Sequence, residues 1–220
     1  RFNAEGTLVR YNVRNLEPKG FYSIGPNGGP FGWPLLQEKG SSKFKLFIFE
    51  DELSCMSGYY VLKQYAKAEW KSSHPACISL EAGSGSVVSS LKFLQDKGLL
   101  GQYQEVIFCY DNDDAGLKAY EEGRKFLPSL KGVTTNLKDA NDELMAGRHM
   151  ELFRTLLFNA KVKHPEGMAT VTDAMDSLND AEKGTYDFPW EGLNELVKMH
   201  HGTLVSIGGG VSVGKTALLH

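Results

Sequence analysis

Two aspartates one residue apart, Asp111 and Asp113, close the apolar run Val106-Ile107-Phe108-Cys109-Tyr110 and lead into Asp114-Ala115-Gly116. A second apolar run, Leu46-Phe47-Ile48-Phe49, ends in Glu50. Hard carboxylate oxygens at strand ends suit Mg²⁺, which keeps waters and substrate phosphates in its remaining coordination positions. Two such ions, about 3.5 to 4 Å apart, activate an attacking hydroxyl and stabilise a leaving pyrophosphate. Asp139, in Lys138-Asp139-Ala140-Asn141-Asp142-Glu143, has the same placement after a later run. Glu50, Asp111, Asp113 and Asp139 therefore form the candidate catalytic and ligand set for Mg²⁺ or Mn²⁺, with Glu50 alternatively a general base. The plainer reading is that Asp113 or Asp114 only caps a helix and the other acids are solvated loop residues.

A second constellation sits about a hundred residues downstream. Gly209-Gly210-Val211-Ser212-Val213-Gly214-Lys215-Thr216 satisfies G-x-x-x-x-G-K-[ST] directly after an apolar strand-like run at 203–207. In that context the amides of a loop bounded by Gly209 and Gly214 cradle phosphates, Lys215 reaches the terminal phosphates of ATP or another NTP, and Thr216 offers its hydroxyl to Mg²⁺. No acidic metal ligand follows in this chain, so ATP hydrolysis by the chain alone is not expected.

The elements that must position these groups alternate. Strands are expected at 46–49, 77–80, 106–110 and 132–137, and helices at 53–68, 86–99, 114–127 and 150–159. In the first helix Leu53, Met56, Tyr60 and Gln64 recur at helical spacing, which predicts that their apolar members face inward. The fold class is α/β, with a mostly parallel sheet flanked by helices. Glu50, Asp111 and Asp139 then lie beyond the C-terminal ends of strands, where such sheets gather functional groups. Ahead of this block, 7–13 reads as a strand and 18–40 as turns and loop, the tail of an upstream subdomain. Behind it runs a polar connector, with a short helix predicted at 172–181 whose small apolar face, Met175 and Leu178, needs another surface to dock on.

Composition bounds the rest. The chain has 220 residues, 41% hydrophobic and 23% charged, and a net charge of −3. That is a globular composition with no bulk attraction to nucleic acid, and no apolar run reaches the roughly 18 to 20 residues of a membrane span. Any DNA contact must rest on parts outside this chain or on a local patch, for which Lys43, Lys45, Lys63, Lys67, Lys71, Lys92 and Lys97 are candidates, solvated helix faces being the alternative. Cys55, Cys77 and Cys109 are widely spaced in apolar surroundings and read as buried, reduced thiols. Arg1 opens a polar stretch with charges of both signs, so an internal piece without a signal peptide is the expectation.

Glu50-Asp51-Glu52-Leu53-Ser54, the D-x-D-x-A-G of Asp111 to Gly116, the K-D-A-N of Lys138 to Asn141 and Phe188-Pro189-Trp190 with Leu193-Asn194 together resemble the bifunctional primase-helicases of short-tailed phages, relatives of the mitochondrial replicative helicase. The resemblance implies the tail of a primase subdomain at 1–43, a Toprim catalytic domain at 44–147, a helix and interdomain linker at 148–187 and the start of a RecA-like P-loop motor at 188–220. It implies synthesis of short RNA primers from ribonucleoside triphosphates on single-stranded DNA, coupled to a 5′-3′ helicase. It also implies ring assembly, a replicative DNA polymerase as a partner, and the bacterial host cytoplasm as the setting. The family's glutamate motif reads E-G-x-x-D, and here Asp51 replaces the glycine and Ser54 the second acid. Two readings follow: a working primase, or a Toprim domain that has lost catalysis and serves the helicase as a DNA-binding and ring-assembly platform. A Toprim nuclease or topoisomerase shares the acidic site but leaves the phosphate loop unexplained.

Overall fold

In the computed structural model the described residues are 1–162, apart from Leu16 and Lys19, together with 185–186, 192 and 199–200. The chain divides into one unit at Arg1–Lys163 and another at His164–His220. In the second unit the described elements are two short strands, Thr185–Tyr186 and Met199–His200, paired antiparallel.

The first unit is built on strands whose side chains alternate between two apolar layers. These are β3 (Ser41–Phe49), β4 (His74–Ser79), β5 (Glu105–Cys109) and β6 (Lys131–Val133), all parallel, in the order β4-β3-β5-β6. Leu46 and Ile48 of β3, Ala76 and Ile78 of β4, and Val106 and Phe108 of β5 face one layer. Phe47, Phe49, Cys77, Ile107 and Cys109 face the other. Both faces are covered, which is why these strands read as continuous apolar runs.

Helices α2 (Val87–Asp96) and α3 (Asp114–Phe126) cover the first layer. Val87, Leu91 and Leu94 supply the α2 face, as the spacing predicts. Helices α1 (Glu52–Gln64), α4 (Ala140–Met145) and α5 (His149–Phe158) cover the second. The buried face of α1 is not the expected one. Leu53, Met56 and Tyr60 are exposed, and Ser54, Cys55, Ser57, Gly58, Val61 and Leu62 face the sheet. The reason is steric: the Phe49 ring occupies the space beside Gly58, where a Cβ would lie 2.2 Å from Cζ. Small residues are what let α1 approach this strand closely.

Other differences have similar local causes. The stretch expected as loop from residue 18 contains β2 (Gly20–Ile24), paired antiparallel with β1 (Tyr11–Asn15). Residues 1–43 lie in the same unit as the sheet and contribute buried Trp33 and Leu36. Helix α5, expected at 150–159, packs here, with Leu152 and Leu156 buried in the second layer. Cys55, Cys77 and Cys109 are free and buried, as expected, and burial pushes their thiols up.

The close approach at Gly58 gives a measurable consequence. Gly58→Ala should lower the unfolding free energy, read by chemical denaturation, by about 1–3 kcal/mol, the usual cost of overpacking. Gly85→Ala, whose Cβ meets open space, should stay within about 0.5 kcal/mol of the parent in the same titration.

Candidate active site

Strand order places the chemistry. From β3 the chain crosses through α1 to β4 on one side, and from β5 it crosses through α3 to β6 on the other. The topological switch point therefore falls between β3 and β5, and ligands of parallel sheets bind beyond the carboxyl ends of strands at such a point. Glu50 follows Phe49, the last residue of β3, and the register pairs Phe49 with Cys109. Just past that pair, the Asp111 amide donates to Glu50 Oε1 at 3.0 Å. The structure thus brings Glu50 and Asp111 together on adjacent central strands.

Asp113 and Asp139 stand at helix starts. Asp113 Oδ1 accepts from the Gly116 amide at 2.8 Å and caps α3, and Asp139 Oδ1 accepts from the Asp142 amide at 2.7 Å and caps α4. Each cap uses only Oδ1 of its carboxylate, so capping and metal ligation are compatible. The backbone ties the two loops together, with the Asn112 amide donating to the Lys138 carbonyl at 2.7 Å. Asp51 makes a third cap, its Oδ1 accepting from the Leu53 and Ser54 amides at the start of α1. Asp51 has φ −132°, so the backbone here has no need of the family's glycine. Ser54 Oγ is buried with no hydrogen-bond partner among the described residues.

The electrostatics are those of acids crowded at a half-buried edge. Burial raises Glu50, with the charges of Asp113 and Asp51 adding, while the hydrogen bond from the Asp111 amide and the charge of Lys138 oppose. Asp111 is pushed up to about 7, first by burial, then by Glu50, Asp139 and Asp51, against Lys138. A divalent cation would relieve this crowding, and the donors are the hard oxygens that Mg²⁺ or Mn²⁺ prefers. Among the described residues no three Asp, Glu, His or Cys side chains form a ready-made cage. The residues nonetheless fit Mg²⁺, which commonly binds through one or two carboxylates and completes its shell with water and substrate phosphate.

Several positioning residues were not singled out from the sequence. Gly116 closes the D-x-D-x-A-G segment because a Cβ there would lie 2.3 Å from the Asp111 carbonyl oxygen and 2.8 Å from Glu50 Oε1. Buried Glu143 accepts from the Leu137 amide at 2.9 Å and pairs with Arg148 at 3.6 Å, bracing the loop before Asp139. Ser57 Oγ donates to Asn141 Oδ1 at 3.2 Å and links α1 to α4. Only the glycine had a sequence signal, its fixed place in the motif. Gly209, Gly214, Lys215 and Thr216 of the phosphate loop lie outside the described residues, as does the predicted helix at 172–181.

A four-stranded parallel sheet with acids at its switch point and helices on both faces is the Toprim-type fold of phage primase domains. The primase fragment of the bacteriophage T7 primase-helicase protein superposes with a TM-score of 0.57 at 23% identity, over 70% of this chain and 60% of that one. A chain from the structure of the T7 lagging-strand DNA polymerase interacting with primase domains bound to an RNA/DNA hybrid and dTTP also scores 0.57. It matches at 24% identity over 73% of this chain and 76% of that one. In sequence, the chain is 28% identical over 126 residues to a DNA helicase/primase of Enterobacteria phage T3, covering 54% of this chain and 22% of that relative. The chain thus spans less than a quarter of that relative's length. No protein-family model matches.

Two outcomes follow from this geometry. Gly116→Ala should displace Glu50 and Asp111 and lower the unfolding free energy by about 1–3 kcal/mol, read by chemical denaturation against the parent. A carboxyl raised in the folded state adds stability that is full below its unfolded value and lost as pH rises through the folded one. The metal-free protein should therefore lose thermal stability between its ordinary value of 3.8 and about 7, with a shallower slope in Asp111→Asn.

Proposed function

We propose that this domain carries out metal-dependent, template-directed synthesis of short RNA primers on single-stranded DNA. The observation that carries the reading is the Glu50–Asp111 pair at the switch point, two acids on neighbouring central strands held by one hydrogen bond. The phage relatives described above, a DNA helicase/primase and a primase fragment, fit that chemistry. Glu50, Asp111, Asp113 and Asp139 would hold Mg²⁺ or Mn²⁺. When bound, the ions supply activation of the attacking hydroxyl and charge neutralisation at the leaving pyrophosphate. The chain's own contribution is orientation: the caps fix Asp113 and Asp139, Gly116 keeps the Asp111 backbone against Glu50, and Glu143 holds the approach to Asp139.

In the whole protein we propose that primer synthesis is coupled to an NTP-driven 5′-3′ DNA helicase. Gly209, Gly214, Lys215 and Thr216 would form its ATP-binding loop, on the strength of the motif alone. Ribonucleoside triphosphates and single-stranded DNA are then the substrates. Self-association into a ring and contact with a replicative polymerase are the partnerships, and the cytoplasm of an infected bacterium is the setting. A second reading, a catalytically retired Toprim platform, is favoured by one observation: Ser54 stands where the family has an acid, and its hydroxyl is buried with no partner among the described residues.

Asp113→Asn separates the readings. Asparagine caps helices as well as aspartate does, so the fold should persist while one negative charge is lost. In the full-length protein, labelled ribonucleotides should appear in short oligomers on single-stranded DNA, and the variant should reduce their formation by about 10²-fold or more, the scale of losing several kcal/mol of metal-borne stabilisation. Absence of oligomers with DNA-stimulated ATP hydrolysis intact would sink the primase reading in favour of the platform.

A further inference from the structure

The seven lysines that stand as candidates for a nucleic-acid patch do not share one surface. Lys43 donates to the Leu36 carbonyl and lies over the Tyr103 ring, and Lys97 donates to the Ala4 carbonyl and lies over Trp33. Lys92 is exposed on α2, over the other layer. The remaining four, Lys45, Lys63, Lys67 and Lys71, gather at the N-terminal ends of β3 and β4, opposite the acidic site. There a groove of about 510 Å³ opens between the start of β3 and the ends of α1 and α5.

Aromatic rings from three separate elements stand around the same groove. Phe44 of β3, Trp70 in the turn after α1 and Phe158 at the end of α5 are 51%, 56% and 72% exposed. The turn that carries Trp70 is braced. Its amide donates to the Lys67 carbonyl at 2.9 Å, the Ser73 amide donates to its carbonyl at 3.0 Å, and the Lys63 ammonium ties the Lys71 and Ser73 carbonyls to α1. An indole held out on a fixed turn is preorganised for a flat partner, and large apolar groups clustered in this way mark interaction sites.

We propose that this groove is a binding site for single-stranded DNA, separate from the acidic edge. A positively charged groove with exposed rings holds unpaired strands by stacking bases on the rings and placing phosphates against the cations. Lys67 and Lys71 are exposed and form no ion pair among the described residues. Lys63 donates to carbonyls and keeps its charge. Lys45 pairs with Glu105 at 3.2 Å, but Glu105 also pairs with Lys131 at 2.9 Å, so that trio stays positive. Glu69 opposes them, its carboxylate accepting from the Trp70 indole at 3.0 Å. Rings and cations interleaved around one groove match a chain that repeats a flat ring and a charge at every unit, as a polynucleotide does. Deoxyribose is favoured because, lysines apart, the lining offers a 2′-hydroxyl only Ser42, Ser73 and Tyr65. Phe44 stands about 20 Å along β3 from Glu50, at the usual rise of a strand, so binding here does not depend on the metal site.

The test is fluorescence anisotropy on the 220-residue chain with labelled oligothymidylate in the presence of chelator, which keeps the outcome independent of the acidic site. Oligothymidylate should bind saturably. Trp70→Ala should weaken binding at least fivefold, and Trp70→Phe, which keeps a ring, by less than threefold. Phe158→Ala, on a separate element, should weaken it in the same direction. Lys67→Ala combined with Lys71→Ala should weaken it and reduce the slope of log K against log salt by about 1.4, the worth of two phosphate contacts. All four positions are exposed, and unchanged circular dichroism would confirm that the variants fold. Absence of saturable binding, or binding indifferent to the ring and lysine variants, overturns the proposal. So does equal or tighter binding of the ribose counterpart, which makes the groove an RNA site. Displacement of the oligonucleotide by an aspartate-rich peptide of equal affinity overturns it as well, in favour of a protein partner.

Discussion

A single hydrogen bond, from the Asp111 amide to the Glu50 carboxylate, extends the pairing of the two central strands past the last backbone partners, Phe49 and Cys109. Much of the acidic edge is arranged around it. The first turn of α3 can lie where it does only because position 116 is glycine: the Asp111 carbonyl and Glu50 Oε1 fill the space a side chain would take. The Asp113 cap then sets the entry of α3, and the loop just before it is tied to Lys138, next to Asp139. Two acids from different strands are held in register by main-chain geometry, which is far stiffer than a meeting of two long side chains. Stiffness of this kind is what a site needs if it must hold like charges close together in the absence of a counter-charge.

Three aspartates, Asp51, Asp113 and Asp139, cap three helices at this same edge. Each helix start carries partial positive charge on its unpaired amides, which favours negative groups there. The helix starts therefore offset part of the repulsion among the acids, and the capping and ligand readings of Asp113 describe two oxygens of one side chain.

What the sequence made legible follows from how strongly each signal was specified. The apolar strands of the parallel sheet were readable because both faces are covered, and the acids at their ends were readable because topology fixes where such groups gather. The inward face of α1 was misread because periodicity weighs large side chains, whereas this interface selects small ones at Ser54, Ser57 and Gly58. β2 was missed because it opens on Gly20 and runs into a Gly- and Pro-rich loop, and its residues are mostly exposed. The short α4 was missed for lack of length, six residues being too few to show a period. Glu143 and the Ser57–Asn141 link were invisible for a different reason: both are contacts between segments far apart in the chain or within a loop, and neither carries a spacing of its own.

The three cysteines lie in one layer, between the sheet and the helices α1, α4 and α5, and burial suppresses their thiolate forms. Thiolate is the form that reacts, so in the native state these buried residues should be slow to react with alkylating reagents. That protection ends when the layer lifts. Alkylation of Cys55, Cys77 and Cys109 is therefore a built-in clock for local opening on that one side of the sheet, readable without any label introduced into the protein.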